Sequence, residues 1–286
     1  MRIATNKVKD LVSFFHKELT QLYSKEEIDE LAFRVFEFYA GFTREDMLKK
    51  QDENLNQSEL ILIYDAAKAL ATAKPLQYVL GKAYFYKYDF DVTGSVLIPR
   101  PETEELVDLI INENKGKAIR AFDIGTGSGC IPITLILMLP SIDMWACDIS
   151  NDALNVAKLN AQKHQASVNF INADALKLPS DLPMFDLIVS NPPYIKRSEE
   201  EQIHKNVKDH EPHLALFVES EDAIVFYKRI IDFSLINLNT GGKLYFELNP
   251  LTAEDVKGYA VASNSFNSVE LFKDMSGNLR FLKATK

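Results

Sequence analysis

The chain has 286 residues, which corresponds to about two domains of average size. Its composition, 47% hydrophobic and 26% charged with no biased tract, is typical of a globular protein and excludes a disordered or fibrous one. The formal net charge of −9 gives no overall positive field, so we expect neither sequence-independent binding to nucleic acid nor binding to an anionic membrane.

No segment of the sequence predicts targeting, membrane insertion or metal binding. Residues 1–15 lack the apolar stretch and cleavage site of a signal peptide, and the longest apolar run, 130–139, is about half the ~20 residues of a membrane helix. Cys130 and Cys147 are too few for a disulfide framework and are expected to be buried thiols, and no histidine has metal-ligand spacing. We therefore expect a cytoplasmic protein without a metal.

Residues 1–74 are predicted to form a helical bundle. They contain none of the 11 prolines and only one of the 11 glycines, Gly41, so little in them ends a helix. Apolar residues recur at helical spacing from Val8 and again from Ile28, and a third short helix and a fourth near 58–73 are expected to complete the bundle. Capping boxes are predicted at Ser24 with Glu27 and at Thr43 with Asp46. Aromatic residues along these helices are expected to form the core, and a role of the bundle in positioning a substrate is a hypothesis.

Residues 75–97 are predicted to be a linker with a β-hairpin, because aromatic residues alternate from Tyr84 to Phe90 and Thr93-Gly94 favours a turn. From residue 98 to 286, strands alternate with helices, and the last two strands have no helix between them. This order predicts an α/β domain with a doubly wound, mostly parallel sheet of seven strands and an antiparallel edge hairpin. The predicted strands are 118–124, 144–147, 168–171, 185–190, 243–248, 268–272 and 279–282, and the helices among them are 131–139, 152–164 and 223–238.

The first candidate binding element is a glycine-rich loop between a strand and a helix. Gly125, Thr126, Gly127, Ser128 and Gly129 allow the backbone to approach a ligand closely at a helix N-terminus. The loop by itself is also compatible with a simple turn or with a nicotinamide dinucleotide site. The latter usually has G-x-G-x-x-G spacing, whereas this loop has G-x-G-x-G.

Three acidic residues follow three predicted strands. Asp148 is expected to bind both hydroxyls of a ribose, although it also fits a helix cap; Asp174, before Ala175, is expected to bind an adenine amino group, although it also fits a turn. Asp123 precedes the glycines and is expected to bind an ammonium group or to cap the turn. Because ligands bind at the carboxyl edge of such sheets, the three together favour S-adenosylmethionine, which has these groups and no pyrophosphate.

The second candidate element is Asn191, Pro192, Pro193 and Tyr194, directly after a strand. The two prolines fix the backbone, so the Asn191 side-chain oxygen and the Pro192 carbonyl are held as two acceptors for the N–H groups of an amide or aromatic amine. Tyr194 is expected to stack on the planar group. The alternative is a turn stiffened by proline.

These residues resemble the PrmC/HemK family, the glutamine N5-methyltransferases of class I peptide-chain release factors. Asn191 to Tyr194 is a signature of amino-group methyltransferases, including those that act on nucleic acids, and the other segments are more specific to the family. Those segments are 75–81 (PLQYVLG), 98–105 (IPRPETEE) and 211–216 (EPHLAL), with Asp274, Gly277 and Arg280.

The resemblance implies a class I S-adenosylmethionine-dependent methyltransferase whose product is S-adenosylhomocysteine. It implies that Asp148, residues 125–129 and the Asp174-Ala175 turn hold the cofactor, and that residues 191–194 hold the glutamine of a Gly-Gly-Gln loop. Arg100, Glu102 and Thr103 would close over the cofactor; otherwise they simply begin a helix with Pro101 in its first turn.

The chain departs from the family at His210, at residues 217–222, and at Asn249 and Thr252. These departures put in doubt the shape of the loop over the site, but not the chemistry.

Two other functions compete with the family's function. A methyltransferase for nucleic-acid bases needs a basic track, whereas residues 1–74 have 11 basic and 13 acidic side chains. A non-catalytic scaffold is disfavoured by the polar groups kept in residues 191–194.

Overall fold

A computed structural model describes residues 6–202 and 204–286. Within this range the chain divides into two compact units. The first extends to Lys82 and includes His204–His210, and the second runs from Ala83 to residue 202 and from Glu211 to Lys286. The domain boundaries expected from the sequence, after residue 74 and before residue 98, remain predictions.

The helices and strands of the described residues are numbered in chain order. The helices are α1 Val8–Leu19, α2 Lys25–Ala40, α3 Arg44–Lys49, α4 Gln57–Leu70, α5 Leu76–Leu80, α6 Pro101–Asn114, α7 Cys130–Met138, α8 Asn151–Lys163, α9 Lys205–His210, α10 His213–Leu216, α11 Val225–Asn237 and α12 Ala253–Ala262. The strands are β1 Lys82–Phe85, β2 Tyr88–Asp91, β3 Ile119–Ile124, β4 Ile142–Asp148, β5 Val168–Asn172, β6 Phe185–Ser190, β7 Ile195–Lys196, β8 Phe217–Val218, β9 Leu238–Glu247, β10 Ser268–Lys273 and β11 Leu279–Thr285. A 3₁₀ turn covers Arg197–Gln202.

The first unit is helical. Helices α1, α2 and α4 pack around buried aromatic residues such as Phe15 and Phe36, so the aromatic residues form the core as predicted. Both predicted capping boxes are present, and a third, at Asn56 and Glu59, begins α4. Helix α5 was not predicted; its residues pack against the same core.

The β-hairpin of the predicted linker is present, but its turn was predicted at the wrong position. The chain reverses at Tyr86 and Lys87 between β1 and β2, and Tyr86 adopts a φ of 61°. Thr93-Gly94 instead lies in a later turn, in which the Val96 N–H donates to the Thr93 carbonyl. Tyr86 takes up a backbone conformation that favours glycine, so residue type did not indicate the turn.

The second unit contains the predicted seven-stranded sheet, in the order β10-β11-β9-β6-β3-β4-β5. Strands β9, β6, β3, β4 and β5 pair in parallel, and β11 pairs antiparallel with both β9 and β10. The α/β fold and its antiparallel edge are therefore confirmed. Helix α6 begins at Pro101, as the proline favours, whereas α10, α12 and the β7–β8 pair were not predicted.

Helices cover both faces of this sheet. In β3, Ala121 packs with residues of α6 and α7 on one face, and Phe122 and Ile124 pack with residues of α11 and α12 on the other. The buried residues of this strand, from Ala121 to Ile124, are apolar except for Asp123, as expected for a strand that is covered on both faces. Cys130 and Cys147 are buried thiols, as predicted. None of the helices in the described part of the chain has the length and apolarity needed to cross a membrane.

The register brings the carboxyl ends of five strands to one edge. Ile124 pairs with Cys147 and with Ser190, and Ser190 pairs with Phe246. The Ser190 hydroxyl also donates to the Ile124 carbonyl oxygen at 2.6 Å. The segments that follow β3 and β6, the glycine loop and Asn191, are therefore neighbours.

Candidate active site

A cavity of about 470 Å³ opens at the carboxyl edge of the sheet within the second unit. The predicted site residues on its wall are Gly125, Gly127, Asp148, Asp174, Ala175, Asn191 and Pro193. The wall does not include the other predicted residues, Asp123, Thr126, Ser128, Gly129, Pro192 and Tyr194. The wall also has members that sequence reasoning missed, among them Val96, Ile149, Leu176, Leu214 and Phe226.

The glycine loop exposes backbone to this cavity. Gly125 and Gly127 have φ values of +81° and +53°, and a Cβ added at either would meet nothing within 4 Å. Several amides of the loop, however, donate within the protein: those of Gly125 and Thr126 to the Cys147 carbonyl, and that of Gly129 to the Thr126 carbonyl. The loop therefore allows a ligand to approach the backbone closely, whereas several of its N–H groups are already used within the protein.

Asp148 lies at the end of β4 and organises the glycine loop. Its Oδ2 accepts from the Gly127 N–H and its Oδ1 from the Ser150 N–H, each at 2.9 Å. Burial raises the pKa of this carboxyl, and the N–H donors oppose the rise. The helix cap itself is Ser150, whose hydroxyl accepts from the Ala153 N–H. Asp148 thus faces the cavity while it fixes the loop beside it.

Asp123 is the residue before the last in β3, close to the glycine loop in sequence, and is fully buried. Among the residues that the structure describes, neither of its carboxyl oxygens has a hydrogen-bond partner within normal geometric limits, and the hydroxyls of Thr126 and Ser128 are also buried without one. Burial raises the pKa of Asp123 to about 7; Thr126 opposes this rise, and the charge of Asp148 adds to it. An unpartnered buried carboxyl is costly, so this group is suited to a cation or to polar atoms that the folded chain itself does not supply.

Asp174 follows β5, and its Oδ1 accepts from the Leu176 N–H at 2.8 Å. The side chain therefore shapes the turn that carries Ala175 to the cavity wall, and it also lines the wall itself. The two interpretations of Asp174, a turn former and a ligand group, are compatible.

Asn191 leaves β6 at the cavity wall beside the glycine loop. Its Nδ2 donates to the Thr103 hydroxyl at 3.4 Å, and that hydroxyl donates to Glu247 Oε2 at 2.6 Å. Tyr194 is largely enclosed, and burial raises its pKa to about 12, so the phenol is protonated at neutral pH. Sequence reasoning missed Glu247 as a site residue. The available signal was an acidic residue at the end of another parallel strand, β9.

One wall of the cavity comes from residues 212–220, which include α10 and β8. Glu211, just before this segment, is buried and binds the guanidinium of Arg100. At the other end of the wall, Arg197 binds Glu219 and lies over the Phe217 ring. Ion pairs therefore tie both ends of the wall to the rest of this unit. No group of three or more His, Cys, Asp or Glu suited to a metal occurs in residues 6–202 and 204–286.

The sheet order and the site at its carboxyl edge define the class of protein, the methyltransferases. Residues 102–215 match the family model "Methyltransferase small domain". Two solved structures share the fold. A methyltransferase from Pyrococcus furiosus is 17% identical, with a TM-score of 0.51 over 81% of this chain and 99% of that one. The 16S rRNA N2 G1207 methyltransferase of Thermus thermophilus is 15% identical, with a TM-score of 0.52 over 72% of this chain and 49% of that one.

The sequence relatives identify the family. The release factor glutamine methyltransferase of Flavobacterium psychrophilum is 38% identical over 280 residues, which cover 96% of this chain and 98% of that protein. The protein of the same name from Bacteroides thetaiotaomicron is 38% identical over 96% of this chain and 99% of its own length. The chain belongs to the release factor glutamine methyltransferase family.

Proposed function

We propose that the protein transfers a methyl group from S-adenosylmethionine to the side-chain amide nitrogen of the glutamine in the Gly-Gly-Gln loop of class I peptide-chain release factors. The observation that carries this proposal is the position of Asn191 on the wall of a cavity that Gly125, Gly127 and Asp148 also line. The near full-length similarity to release factor glutamine methyltransferases supports the choice of substrate.

The cavity suits this cofactor. The open space above Gly125 and Gly127 admits a ligand close to the backbone, and the unpartnered Asp123 carboxyl suits an ammonium group. Asp148 would hold the ribose, and Asp174 with Ala175 the adenine. When bound, S-adenosylmethionine supplies a methyl group activated by the positive charge on its sulfur, so we expect no metal or nucleophilic side chain to be required.

The residues of the chain align and polarise the amide. Asn191 Oδ1 and the Pro192 carbonyl would accept the two N–H groups of the glutamine side chain, which favours localisation of the nitrogen lone pair as the new bond forms. Tyr194, protonated at neutral pH, would support the planar amide by stacking rather than act as a base. The proton that leaves the methylated nitrogen would pass to water.

The test measures transfer of a labelled methyl group to three substrates: an intact release factor, the same factor with its Gly-Gly-Gln glutamine replaced by alanine, and ribosomal RNA or DNA. We expect label on the first alone, at the glutamine nitrogen. Asn191→Ala should lower the single-turnover rate by roughly 10²- to 10³-fold and leave cofactor affinity unchanged. Label on nucleic acid instead of the release factor would establish a base methyltransferase, and cofactor binding without any transfer would indicate a scaffold.

A further inference from the structure

A chain of hydrogen bonds runs from the cavity wall into the interior of the second unit. The Asn191 Nδ2 donates to Thr103 Oγ1 at 3.4 Å, and Thr103 Oγ1 donates to Glu247 Oε2 at 2.6 Å. Thr103 is 4% exposed and Glu247 is 2% exposed, so the bond between them is shielded from water. The three residues come from the loop after β6, from α6 and from the end of β9.

The proton count of this chain fixes the direction of each bond. An ionised carboxylate has no proton and only accepts, so the single proton of the Thr103 hydroxyl is directed to Glu247. The Thr103 oxygen is then left as an acceptor, and the group of Asn191 that faces it must be the Nδ2 donor. The Oδ1 of Asn191, on the other branch of the same carboxamide, is thereby kept away from Thr103.

The orientation of this carboxamide matters because its two ends have opposite hydrogen-bonding roles towards a substrate N–H. The Oδ1 accepts from it, whereas Nδ2 in the same place would set a donor against a donor. We infer that Thr103 and Glu247 are positioning residues that hold the Asn191 carboxamide with Oδ1 presented to the substrate amide. This inference rests on the proposed function and extends it by two residues that do not themselves touch the substrate.

The ionisation of Glu247 gives the arrangement a pH dependence. Burial raises the pKa of Glu247 to about 7, while the Thr103 hydroxyl and the Arg280 charge oppose the rise. As the pH falls through this value, the Glu247 carboxyl gains a proton and can itself donate to the Thr103 hydroxyl. The Thr103 hydroxyl is then free to donate to Asn191, so Glu247 no longer determines which end of the Asn191 carboxamide faces Thr103. Methyl transfer should therefore weaken below about pH 7. Within the described part of the chain, the other titratable or charged groups that interact with Glu247 are Arg100, Glu102, Cys130, Tyr194 and Tyr227.

The first test compares Thr103→Val, which removes the hydroxyl at nearly constant volume, with Thr103→Ser, which keeps it. For Thr103→Val we expect single-turnover methyl transfer to fall by about 10- to 100-fold, by analogy with the loss of an outer hydrogen-bond partner at metal sites. Thr103 was expected from the resemblance to close over the cofactor, but it is 4% exposed and is not part of the cavity wall. The KM for the release factor and the cofactor dissociation constant should therefore stay unchanged, and Thr103→Ser should restore the rate. Wild-type rates in Thr103→Val would overturn the inference.

The second test asks whether Thr103 acts through Asn191. In the Asn191→Ala background, Thr103→Val should cause no further loss of rate, because the carboxamide that it orients is gone. Independent losses that multiply would overturn the inference. At saturating S-adenosylmethionine, so that protonation of Asp123 does not limit cofactor binding, Glu247→Gln should remove the decline in rate below pH 7. Persistence of that decline under these conditions would count against the proposal.

The third test needs no methyl transfer and so separates this inference from the proposed function. In ¹⁵N-labelled protein, the side-chain amide signal of Asn191, identified by its absence in Asn191→Ala, should shift as the pH passes through about 7. The shift should be lost in Glu247→Gln and reduced in Thr103→Val. A wild type that fails to methylate the release factor but shows this titration would refute only the proposed function. An Asn191 signal that keeps its wild-type position in both Thr103→Val and Glu247→Gln would refute the inference itself.

Discussion

The Nη2 atom of Arg100 lies 2.6 Å from Oε1 and 2.7 Å from Oε2 of Glu211, so one guanidinium nitrogen contacts both oxygens of a buried carboxylate. Burial raises the pKa of Glu211, and the Arg100 charge opposes the rise. Glu211 directly precedes Pro212, with which the cavity wall of residues 212–220 begins. This ion pair therefore connects the start of α6 to the wall of the candidate active site.

Arg100→Gln should destabilise the protein and weaken cofactor binding together. The change leaves the Glu211 carboxylate buried without its cation. We expect the free energy of unfolding to fall by up to about 3 kcal/mol, which is the lower end of the range for a broken buried ion pair. The lower end applies because the Arg100 side chain is 33% exposed. Denaturant titration and calorimetric binding of S-adenosylmethionine measure the two effects.

A matched control for Arg100 is Arg120→Gln. Arg120 and Asp143 also form an ion pair at 2.6 Å, but both side chains are 44% exposed, so removal of the charge should change stability by less than about 1 kcal/mol. Adding Glu211→Gln to Arg100→Gln should recover part of the stability. Equal changes in stability for Arg100→Gln and Arg120→Gln would show that burial of the Glu211 carboxylate adds nothing to the effect of losing Arg100.

Asp148→Ala should weaken cofactor binding and loosen the glycine loop. The carboxylate accepts from the Gly127 and Ser150 N–H groups and faces the cavity, so its loss should cost on the order of 1.5 to 3 kcal/mol of binding free energy. Calorimetry measures the affinity, and hydrogen exchange of the Gly127 amide reports the loop. Normal affinity with fast exchange would mean that Asp148 serves the loop alone.

Asp123→Asn should stabilise the cofactor-free protein in a pH-dependent way. The folded-state pKa of about 7 exceeds the ordinary value of 3.8, so ionised Asp123 destabilises the fold fully above pH 7, and this penalty declines as the pH falls from 7 towards 4. The variant should therefore melt at a higher temperature than the wild type at pH 8, with a gain that shrinks by pH 5.

The same variant should bind S-adenosylmethionine more weakly, because the neutral amide no longer attracts an ammonium group. Melting curves with and without cofactor at pH 8 and pH 5 check both parts. Unchanged affinity would remove Asp123 from the proposed cofactor residues while leaving the stability argument intact.

Gly129→Ala should destabilise the protein more than Gly127→Ala. Both positions have a positive φ, which costs alanine about 1–2 kcal/mol. A Cβ at Gly129 would also lie 3.0 Å from Ile133 Cδ1 and 3.2 Å from Ala157 Cβ, whereas at Gly127 it would meet open space. Overpacking should add about 1–3 kcal/mol at Gly129, and chemical denaturation measures the difference. Equal losses of stability would show that α7 and α8 move apart to accept the added methyl group without a loss of free energy.

The sequence by itself determined the features that depend on neighbouring residues. The capping boxes at Ser24 and Thr43 depend on residues three positions apart. The mostly apolar residues of β3, followed by Gly125, predict a strand and a loop without reference to the rest of the chain. Alternation of strands and helices then limits the topology, because parallel strands need crossovers. The carboxyl-edge site at Asp148 and Asn191 follows from that topology.

Tertiary structure alone decided which distant groups meet. Thr103 and Glu247 are 144 positions apart and Arg100 and Glu211 are 111 apart, so no local pattern relates the members of either pair. The hairpin turn at Tyr86 was mispredicted because its positive φ lies at a residue whose type does not favour it. The type of each side chain was visible in the sequence, but its partner, its burial and therefore its pKa depend on how the sheet and helices close around it.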